Sequence, residues 1–259
     1  MKEAFNRWLA AMMFFTRLPW WRLGNPPKEC FSRVVELWPY AGWLTGGVTA
    51  GLIWLFTGMV PPYVAVILAL TGRLLLTGAL HEDGLADFCD GFGGGVTRDR
   101  ILLIMKDSHI GTYGVLGLVI YYLLAVGVLG ALPLRYACLV AFAADGWSKC
   151  CASELINFLG YARTEATAKN RVVYARMSVT TLLVNIVGGL VPLVILISEG
   201  GALAFSALAP IVVVSLGIWF LKKKIGGYTG DCCGALFLIC ELAMWLTALI
   251  IWRDIALNF

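Results

Sequence analysis

The sequence has 259 residues, of which 60% are hydrophobic and only 14% are charged. A soluble domain of this size is roughly half apolar and a quarter charged, so the composition excludes an ordinary soluble protein and indicates a polytopic membrane protein. The net charge of +4 suits anionic lipid headgroups or a phosphorylated substrate, and no nucleic-acid partner is expected.

The N-terminal apolar run from Trp8 to Phe15 is too short to cross a bilayer, which takes about 20 mostly apolar residues. Arg17, Pro19 and two tryptophans follow it directly. This arrangement predicts a helix that lies in the membrane interface. No convincing small-residue cleavage site follows, so a removed signal peptide is not expected.

About seven segments fit the length and apolarity of a membrane-spanning helix, within a range of about six to eight. The 136–156 segment fits least well because Asp145, Lys149 and Glu154 interrupt it. We therefore expect an all-α, polytopic membrane bundle plus the N-terminal interfacial helix, in a single domain over residues 1–259. The predicted spans are 37–58, 61–80, 112–132, 136–156, 178–198, 202–221 and 234–252.

Four acidic residues fall within positions 81–90, directly after a strongly apolar run. If this segment is helical, Asp83, Asp87 and Asp90 share one face within about 60° of arc. Three carboxylates there repel one another unless a divalent cation neutralises them, and Mg²⁺ prefers a few carboxylates plus substrate phosphates. The spacing therefore predicts a Mg²⁺-dependent phosphoryl-transfer site, with a solvated helix face as the structural alternative.

The segment 91–100 that follows is rich in glycine and arginine. Glycines let backbone N–H groups approach an anion, and Arg98 and Arg100 add bidentate phosphate donors. Further on, Lys106, Asp107 and Ser108 lead into the third predicted span. Asp107 and Ser108 fit a helix cap and a substrate contact equally well, because these residue types are favoured at helix starts.

Ionisable residues also lie in or beside the later spans, where acids are functional by default. Asp231 and Glu241 flank the start of the last span. Asp145 and Lys149 stand four residues apart, and mutual neutralisation is favoured slightly over substrate contact for this pair. The eight cysteines contain no C-x-x-C, so a zinc site is not indicated and they are expected to act as small apolar residues.

The distribution of basic residues predicts the orientation in the membrane. With the N-terminus in the cytoplasm, only Arg135 and Arg253 of the 20 basic residues fall in outside loops, while Arg73 and Lys149 lie within spans. The acidic motif and the 157–176 loop then share the cytoplasmic face. We expect a protein of the cytoplasmic (inner) membrane whose active site faces the cytoplasm.

Motifs along nearly the whole chain match those of one known family. They are Phe15 to Pro19, Trp38 to Gly42, Thr77 to Asp87, Asp90-Gly91, Arg98 to Arg100, Ile104 to Ser108 with Gly111, Ser148-Lys149, Tyr161 to Arg163, Thr229 to Asp231, Gly234-Ala235 and Glu241. Together they closely resemble the signature of the cobalamin synthases, the adenosylcobinamide-GDP ribazoletransferases.

The resemblance implies a Mg²⁺-dependent transferase that joins adenosylcobinamide-GDP and α-ribazole, or its 5′-phosphate, to give adenosylcobalamin, or its 5′-phosphate, and GMP. For this reaction we place Mg²⁺ on the stripe of Asp83, Asp87 and Asp90. One carboxylate could instead act as general base, with Asp83 as the first choice and His81 as a second candidate. The expected substrate-binding residues are Arg98, Arg100, Lys106, Asp107, Ser108, Lys149, Arg163, Asp231 and Glu241. Asp231 and Glu241 could instead hold a second metal ion.

The chain departs from the family pattern at three positions. Glu82 replaces an apolar residue and either adds a ligand or faces solvent, and Leu238 occupies a position that often holds Glu. Lys149 stands where the family has Arg, and it lacks the planar fork that a bidentate contact needs.

Two other functions are weighed against this one. A CDP-alcohol phosphotransferase also uses several aspartates in membrane helices, but its signature has Arg after Ala where this chain has Asp87 after Ala86. An ion-coupled transporter needs acids at matching positions of two halves, and no such repeat is seen. Glycine pairs at 46–47, 188–189 and 200–201 permit close helix approach within or between chains, so a homo-oligomer is left open.

Overall fold

The computed structural model describes residues 2–163 and 173–257, and within these ranges the chain is helical with no β-strand. The predicted all-α class is thus confirmed for the described chain. Its α-helices are α1 (Lys2–Phe15), α2 (Trp38–Thr57), α3 (Pro62–Thr77), α4 (Leu80–Gly94), α5 (Arg98–Ile104), α6 (Thr112–Ala131), α7 (Leu134–Ser153), α8 (Leu155–Phe158), α9 (Val179–Gly200), α10 (Leu208–Lys224) and α11 (Gly230–Leu257). The 3-10 helices are Trp20–Leu23, Lys28–Leu37 and Gly201–Ala207.

Several of these helices are long and apolar enough to cross a membrane. Among the described residues they number four: α6, α9, α10 together with the turn before it, and α11. The bent pair α3 and α4 makes a fifth if it is counted as one span. Large apolar side chains on the outer faces of α6, α9 and α10 are exposed, as expected for contact with lipid. The long apolar helices indicate a membrane protein, while the expected count of about seven spans is not confirmed.

The difference between the expected and the observed number of spans lies mainly in α2 and α7. Both helices form close to the predicted positions 37–58 and 136–156, but neither is among the helices long and apolar enough to cross a membrane. The two helices pack against each other through glycine. A Cβ at Gly42 would lie 2.8 Å from Gly146 Cα, and one at Gly46 would lie 2.8 Å from Asp145 Cβ. Small residues permit such close crossings. Because neighbouring helices surround much of α7, it tolerates polar residues that a lipid-facing helix would not.

The predicted span 61–80 ends early, because the chain turns by 93° between α3 and α4. Gly78 and Ala79 both adopt left-handed backbone angles, with φ of 66° and 59°. Their amides donate to the Leu74 carbonyl at 2.8 and 3.1 Å and so close the end of α3. A left-handed alanine costs about 1–2 kcal/mol, so this sharp turn is maintained by the surrounding packing.

The loops gather at two opposite ends of the bundle. At one end, Arg98 of α5 donates to the carbonyls of Ala162 and Ile225, which follow α8 and α10. At the other end, Arg135 at the start of α7 pairs with Glu199 at the end of α9. The acidic motif and Arg135 are thus at opposite ends, as the charge distribution predicts. Part of the 157–176 loop, including Lys169 and Arg171, lies outside the described residues.

The N-terminal helix forms as predicted and extends over Lys2–Phe15. Its buried face packs against the Lys28–Leu37 segment and joins a hydrophobic core that runs from Ala10 to Ala248. The eight cysteines are unpaired and lie buried or half-buried, which confirms their expected role as small apolar residues.

Candidate active site

A cavity of about 410 Å³ opens where the N-terminal ends of α4 and α11 meet. The first turn of each helix lines it, from the Gly78–His81 stretch and from Gly230 onward. The helices approach closely: a Cβ at Gly84 would lie 2.9 Å from the Asp231 carbonyl oxygen. Helix N-termini present unpaired N–H groups and partial positive charge, so two of them at one cavity favour an anionic ligand.

Charged side chains reach this cavity from three parts of the sequence. Asp83 is exposed on α4, and Asp231 is half-buried at the start of α11. Arg17 is exposed and lies over Gly78. The structure therefore brings together three predicted site residues, Asp83, Asp231 and the neighbouring His81, and adds Arg17, which the sequence reasoning did not place in the site. The sequence did contain a signal for Arg17, because this residue lies in the Phe15–Pro19 motif. That motif indicated the family but assigned no role to Arg17.

The aspartate stripe of α4 is helical as predicted, but its members have different surroundings. Asp87 is buried one turn beyond Asp83. Asp90 is also buried, and its carboxylate accepts the backbone N–H groups of Gly111 at 2.6 Å and Gly114 at 2.8 Å. Asp90 is thus placed as the cap of α6, and its role as a metal ligand stays a prediction.

The capping role weighed for Asp107 and Ser108 is therefore filled by Asp90. The Asp107 carboxylate instead accepts the His109 backbone N–H at 3.1 Å and contacts the His109 ring Nδ1 at 2.6 Å. These hydrogen bonds from His109 lower the pKa of Asp107. Ser108 is exposed in the same loop.

A Mg²⁺ site must be judged by the carboxylates that share the cavity. In the part of the chain that the structure describes, no group of three or more His, Cys, Asp or Glu side chains is arranged to hold a metal ion. Mg²⁺ usually binds through one or two carboxylates and completes its shell with water and substrate phosphates. Asp83 and Asp231 supply hard oxygen donors in one cavity and fit that pattern, with Asp87 one turn away on α4.

A second cavity of about 710 Å³ lies at the start of α6 and shares no lining residue with the first. Three predicted substrate-binding residues, Arg100, Lys106 and Asp107, line it together with His109 and Asp90. Its two basic side chains are suitable phosphate donors but lie beside two carboxylates, so the phosphate role of Arg100 and Lys106 stays a prediction.

Arg98 and Arg163 make contacts that organise this end of the bundle. The Arg98 Nε donates to the Ile225 carbonyl at 2.9 Å, and its Nη2 donates to the Ala162 carbonyl at 2.8 Å. The Arg163 Nη2 donates to the Leu102 carbonyl at 2.9 Å. Both guanidinium groups therefore tie α5 to neighbouring loops, and neither lines the two cavities just described.

Lys149 and Glu241 belong to a network buried inside the bundle. Arg73 Nη1 donates to both Glu241 carboxylate oxygens at 2.7 Å, and Tyr121 donates to the same carboxylate at 3.0 Å. Lys149 pairs with Asp145, which confirms the predicted neutralisation. These ion pairs occupy the groups and hold them away from both cavities. The sequence does contain a signal for the Arg73 pair, because a lone arginine in an apolar span requires a buried acid.

His81 and Glu82 are both buried, with different neighbours. His81 lines the first cavity and stacks on Trp38 with ring centroids 5.6 Å apart. Glu82 accepts a hydrogen bond from the Tyr122 hydroxyl at 3.4 Å and does not line that cavity. The alternative in which Glu82 faces solvent is therefore wrong.

Comparison with known proteins identifies the family. The family model for cobalamin-5-phosphate synthase matches residues 7–249. The adenosylcobinamide-GDP ribazoletransferase of Shewanella sp. (strain W3-18-1) is 35% identical over 247 residues, which cover 94% of this chain and 93% of the relative. The protein of the same name from Shewanella oneidensis is 35% identical over 245 residues, covering 93% and 92%. No solved structure matches the chain significantly. The match over nearly the whole length shows that the chain belongs to the cobalamin-5-phosphate synthase family.

Proposed function

We propose that this chain is a Mg²⁺-dependent membrane transferase that acts in the nucleotide-loop assembly step of cobalamin biosynthesis. It joins adenosylcobinamide-GDP to α-ribazole, or to α-ribazole 5′-phosphate, and releases GMP. The family membership and the printed names of the relatives support the reaction.

The observation that carries the proposal is the cavity between the starts of α4 and α11. It combines two carboxylates, Asp83 and Asp231, with the Arg17 guanidinium and two helix N-termini. A diphosphate linkage needs positive charge around its non-bridging oxygens and a base near the attacking hydroxyl. The two carboxylates, the Arg17 guanidinium and the two helix N-termini all line this one cavity.

In the transfer, the oxygen of a ribazole hydroxyl attacks the phosphorus linked to cobinamide. The bond from that phosphorus to the bridging oxygen breaks, and GMP leaves with that oxygen. Asp83 is exposed in the cavity and accepts the hydroxyl proton, with His81 as the second candidate base. Arg17 and the N–H groups of the two helix starts stabilise the charge on the phosphate oxygens.

Mg²⁺, when bound, neutralises the diphosphate oxygens and lowers the charge on the leaving group. Asp83 and Asp231 would be the best-placed ligands because both line the cavity, with Asp87 one turn later than Asp83 on α4. With Asp83 on the metal ion, His81 would be the base. Asp90 contributes less in this proposal, since both of its oxygens already accept backbone N–H groups.

Arg100 and Lys106 in the second cavity attract the anionic substrate to the same end of the bundle. The lysines that end α10, Lys222 to Lys224, lie beside Ile225, which Arg98 contacts. This concentration of positive charge supports an active site that faces the cytoplasm from the inner membrane.

The reaction is tested by incubating purified protein in lipid nanodiscs with adenosylcobinamide-GDP and α-ribazole. Adenosylcobalamin and GMP should appear in equal amounts with Mg²⁺ and should not appear when EDTA removes it. A parallel incubation with a CDP-alcohol and glycerol phosphate should release no CMP. Absence of cobalamin in the presence of Mg²⁺, or release of CMP, would contradict the proposal.

A further inference from the structure

Aromatic rings form a continuous part of the wall of the candidate active-site cavity. Phe15 and Trp38 stack with their centroids 5.4 Å apart and their planes 10° apart. Phe14 packs edge-on against Tyr174 at 6.2 Å. All four residues line the cavity, and they come from α1, α2 and the segment before α9. Such a surface suits a flat aromatic ligand.

Two buried ring nitrogens in this wall lack hydrogen-bond partners among the described residues. They are Trp38 Nε1 and His81 Nε2, whose residues are 2% and 3% exposed. A buried polar group left unbonded costs about 1–3 kcal/mol, so both nitrogens indicate a partner beyond the residues that the structure describes. Other unbonded buried side-chain atoms, such as Trp245 Nε1, do not line this cavity.

The size of the cavity restricts what it can hold. At about 410 Å³ it falls in the lower part of the range for small-molecule sites, roughly 300–1,000 Å³. A nucleoside fits this volume as a whole, whereas adenosylcobinamide-GDP, with its corrin macrocycle and two nucleosides, can place only part of itself there. The ligand of the aromatic wall is therefore the smaller substrate or the guanosine end of the larger one.

Polarity favours the smaller substrate. The base of α-ribazole is a benzimidazole, which is largely apolar and keeps one ring nitrogen as a hydrogen-bond acceptor. The indole N–H of Trp38 is a donor only, so it matches that single acceptor. Guanine presents several donors and acceptors along its edge, and placing them against Phe14, Phe15 and Trp38 would leave most of them unpaired.

We propose that this aromatic wall is the binding subsite for the α-ribazole nucleoside, with Trp38 Nε1 donating to the ring nitrogen of the base and His81 Nε2 bonding a ribose hydroxyl. The assignment rests on the proposed function. It directs the ribose toward Asp83, which lines the same cavity and accepts the proton of the attacking hydroxyl.

The test compares two tryptophan-to-phenylalanine variants. Trp38→Phe keeps an aromatic ring and removes the N–H, while Trp245→Phe makes the same change at a buried, unbonded indole outside the cavity. In steady-state assays, Trp38→Phe should raise the KM for α-ribazole about tenfold, as expected for loss of one hydrogen bond to a ligand. The KM for adenosylcobinamide-GDP should stay unchanged, and Trp245→Phe should change neither value.

Phe14→Leu provides a second variant if Trp38→Phe does not fold, since Phe14 is half-buried at the cavity and its ring contacts Tyr174. It should raise the KM for α-ribazole in the same selective way. A rise in the KM for adenosylcobinamide-GDP alone would overturn the proposal and assign the wall to guanine. Equal effects of Trp38→Phe and Trp245→Phe would also overturn it.

Calorimetric titration of α-ribazole, and separately of GMP, into the unmodified protein and Trp38→Phe distinguishes this subsite from the overall reaction. Binding of α-ribazole that weakens about tenfold in Trp38→Phe supports the subsite even if no cobalamin forms, in which case the proposed function alone fails. Cobalamin formation together with unchanged α-ribazole binding in the variant overturns the subsite alone.

Discussion

Asp90 of α4 accepts the backbone N–H of Gly111 at 2.6 Å and thereby joins α4 to the start of α6. Gly114 donates to the same carboxylate at 2.8 Å. Both glycines approach too closely for a side chain, since a Cβ at either position would lie 2.5 Å from an Asp90 oxygen. Asp90 is therefore a structural link between two helices, while Asp83 on the same helix lines the candidate active site.

We expect Asp90→Ala to lower the free energy of unfolding by about 1–2 kcal/mol, because the α6 start loses its cap. Thermal unfolding in detergent measures the change. Asp99→Ala is a matched control, since the Asp99 side chain on α5 is 91% exposed and should contribute little. An unchanged melting temperature for Asp90→Ala, accompanied by a weakened response to Mg²⁺, would instead make Asp90 a metal ligand.

The buried pair of Arg73 and Glu241 predicts a larger loss of stability than the loss expected for Asp90→Ala. Glu241→Gln removes the nearer of the two carboxylates beside the Arg73 guanidinium, leaves Asp145 at 3.9 Å, and should destabilise the protein by about 3 kcal/mol. Adding Arg73→Met should recover much of that loss, because it removes the buried charge that has lost its nearest partner. Thermal unfolding of the two single variants and the double variant completes the cycle. If Glu241→Gln stays fully stable and raises a substrate KM instead, then Glu241 contacts substrate.

The two arginines of α5 should respond differently to truncation. Arg98→Ala loses the contacts to Ala162 and Ile225 and should lower the melting temperature, with little change in KM for adenosylcobinamide-GDP. Arg100 lines the second cavity, so Arg100→Ala should keep its stability and raise that KM about tenfold. Melting curves and steady-state assays of both variants decide the matter, and the reverse pattern would contradict these assignments.

Local sequence patterns were sufficient to predict much of the fold. The helix of the acidic motif, the N-terminal helix and the last spans all follow from apolar length and helical spacing, which depend on neighbouring residues. The contacts that define the site do not follow from such local patterns. Arg73 and Glu241 lie 168 positions apart, and the cap of α6 comes from a residue 21 positions upstream of Gly111.

The aspartate stripe shows the same limit in a single helix. Spacing correctly placed Asp83, Asp87 and Asp90 on α4, but it contains no information on which helix packs beside each turn. The start of α11 approaches Gly84, whereas the start of α6 approaches Asp90. Equivalent residues in the pattern therefore acquire different roles through tertiary contacts.

Topology is tested by cysteine labelling at two exposed positions. Val96 lies after α4 and is 91% exposed, and Met59 lies between α2 and α3 at the end of the bundle that contains Arg135. Val96→Cys should react with an impermeant maleimide only from the cytoplasmic side, and Met59→Cys only from the opposite side. Background labelling is set by the unmodified protein, whose cysteines are buried or half-buried. Reaction of Val96→Cys from outside would contradict the orientation.

The central claim is that the Asp83 carboxylate of α4, which lines the cavity, carries the transfer, and Asp83→Asn tests it most directly. This change keeps the shape of the side chain and removes both its charge and its basicity. We predict that the rate of cobalamin formation falls by about 100-fold or more. The melting temperature should stay unchanged, and Asp99→Asn should keep full activity. Near-normal turnover of Asp83→Asn with an unaltered dependence on Mg²⁺ would contradict the account.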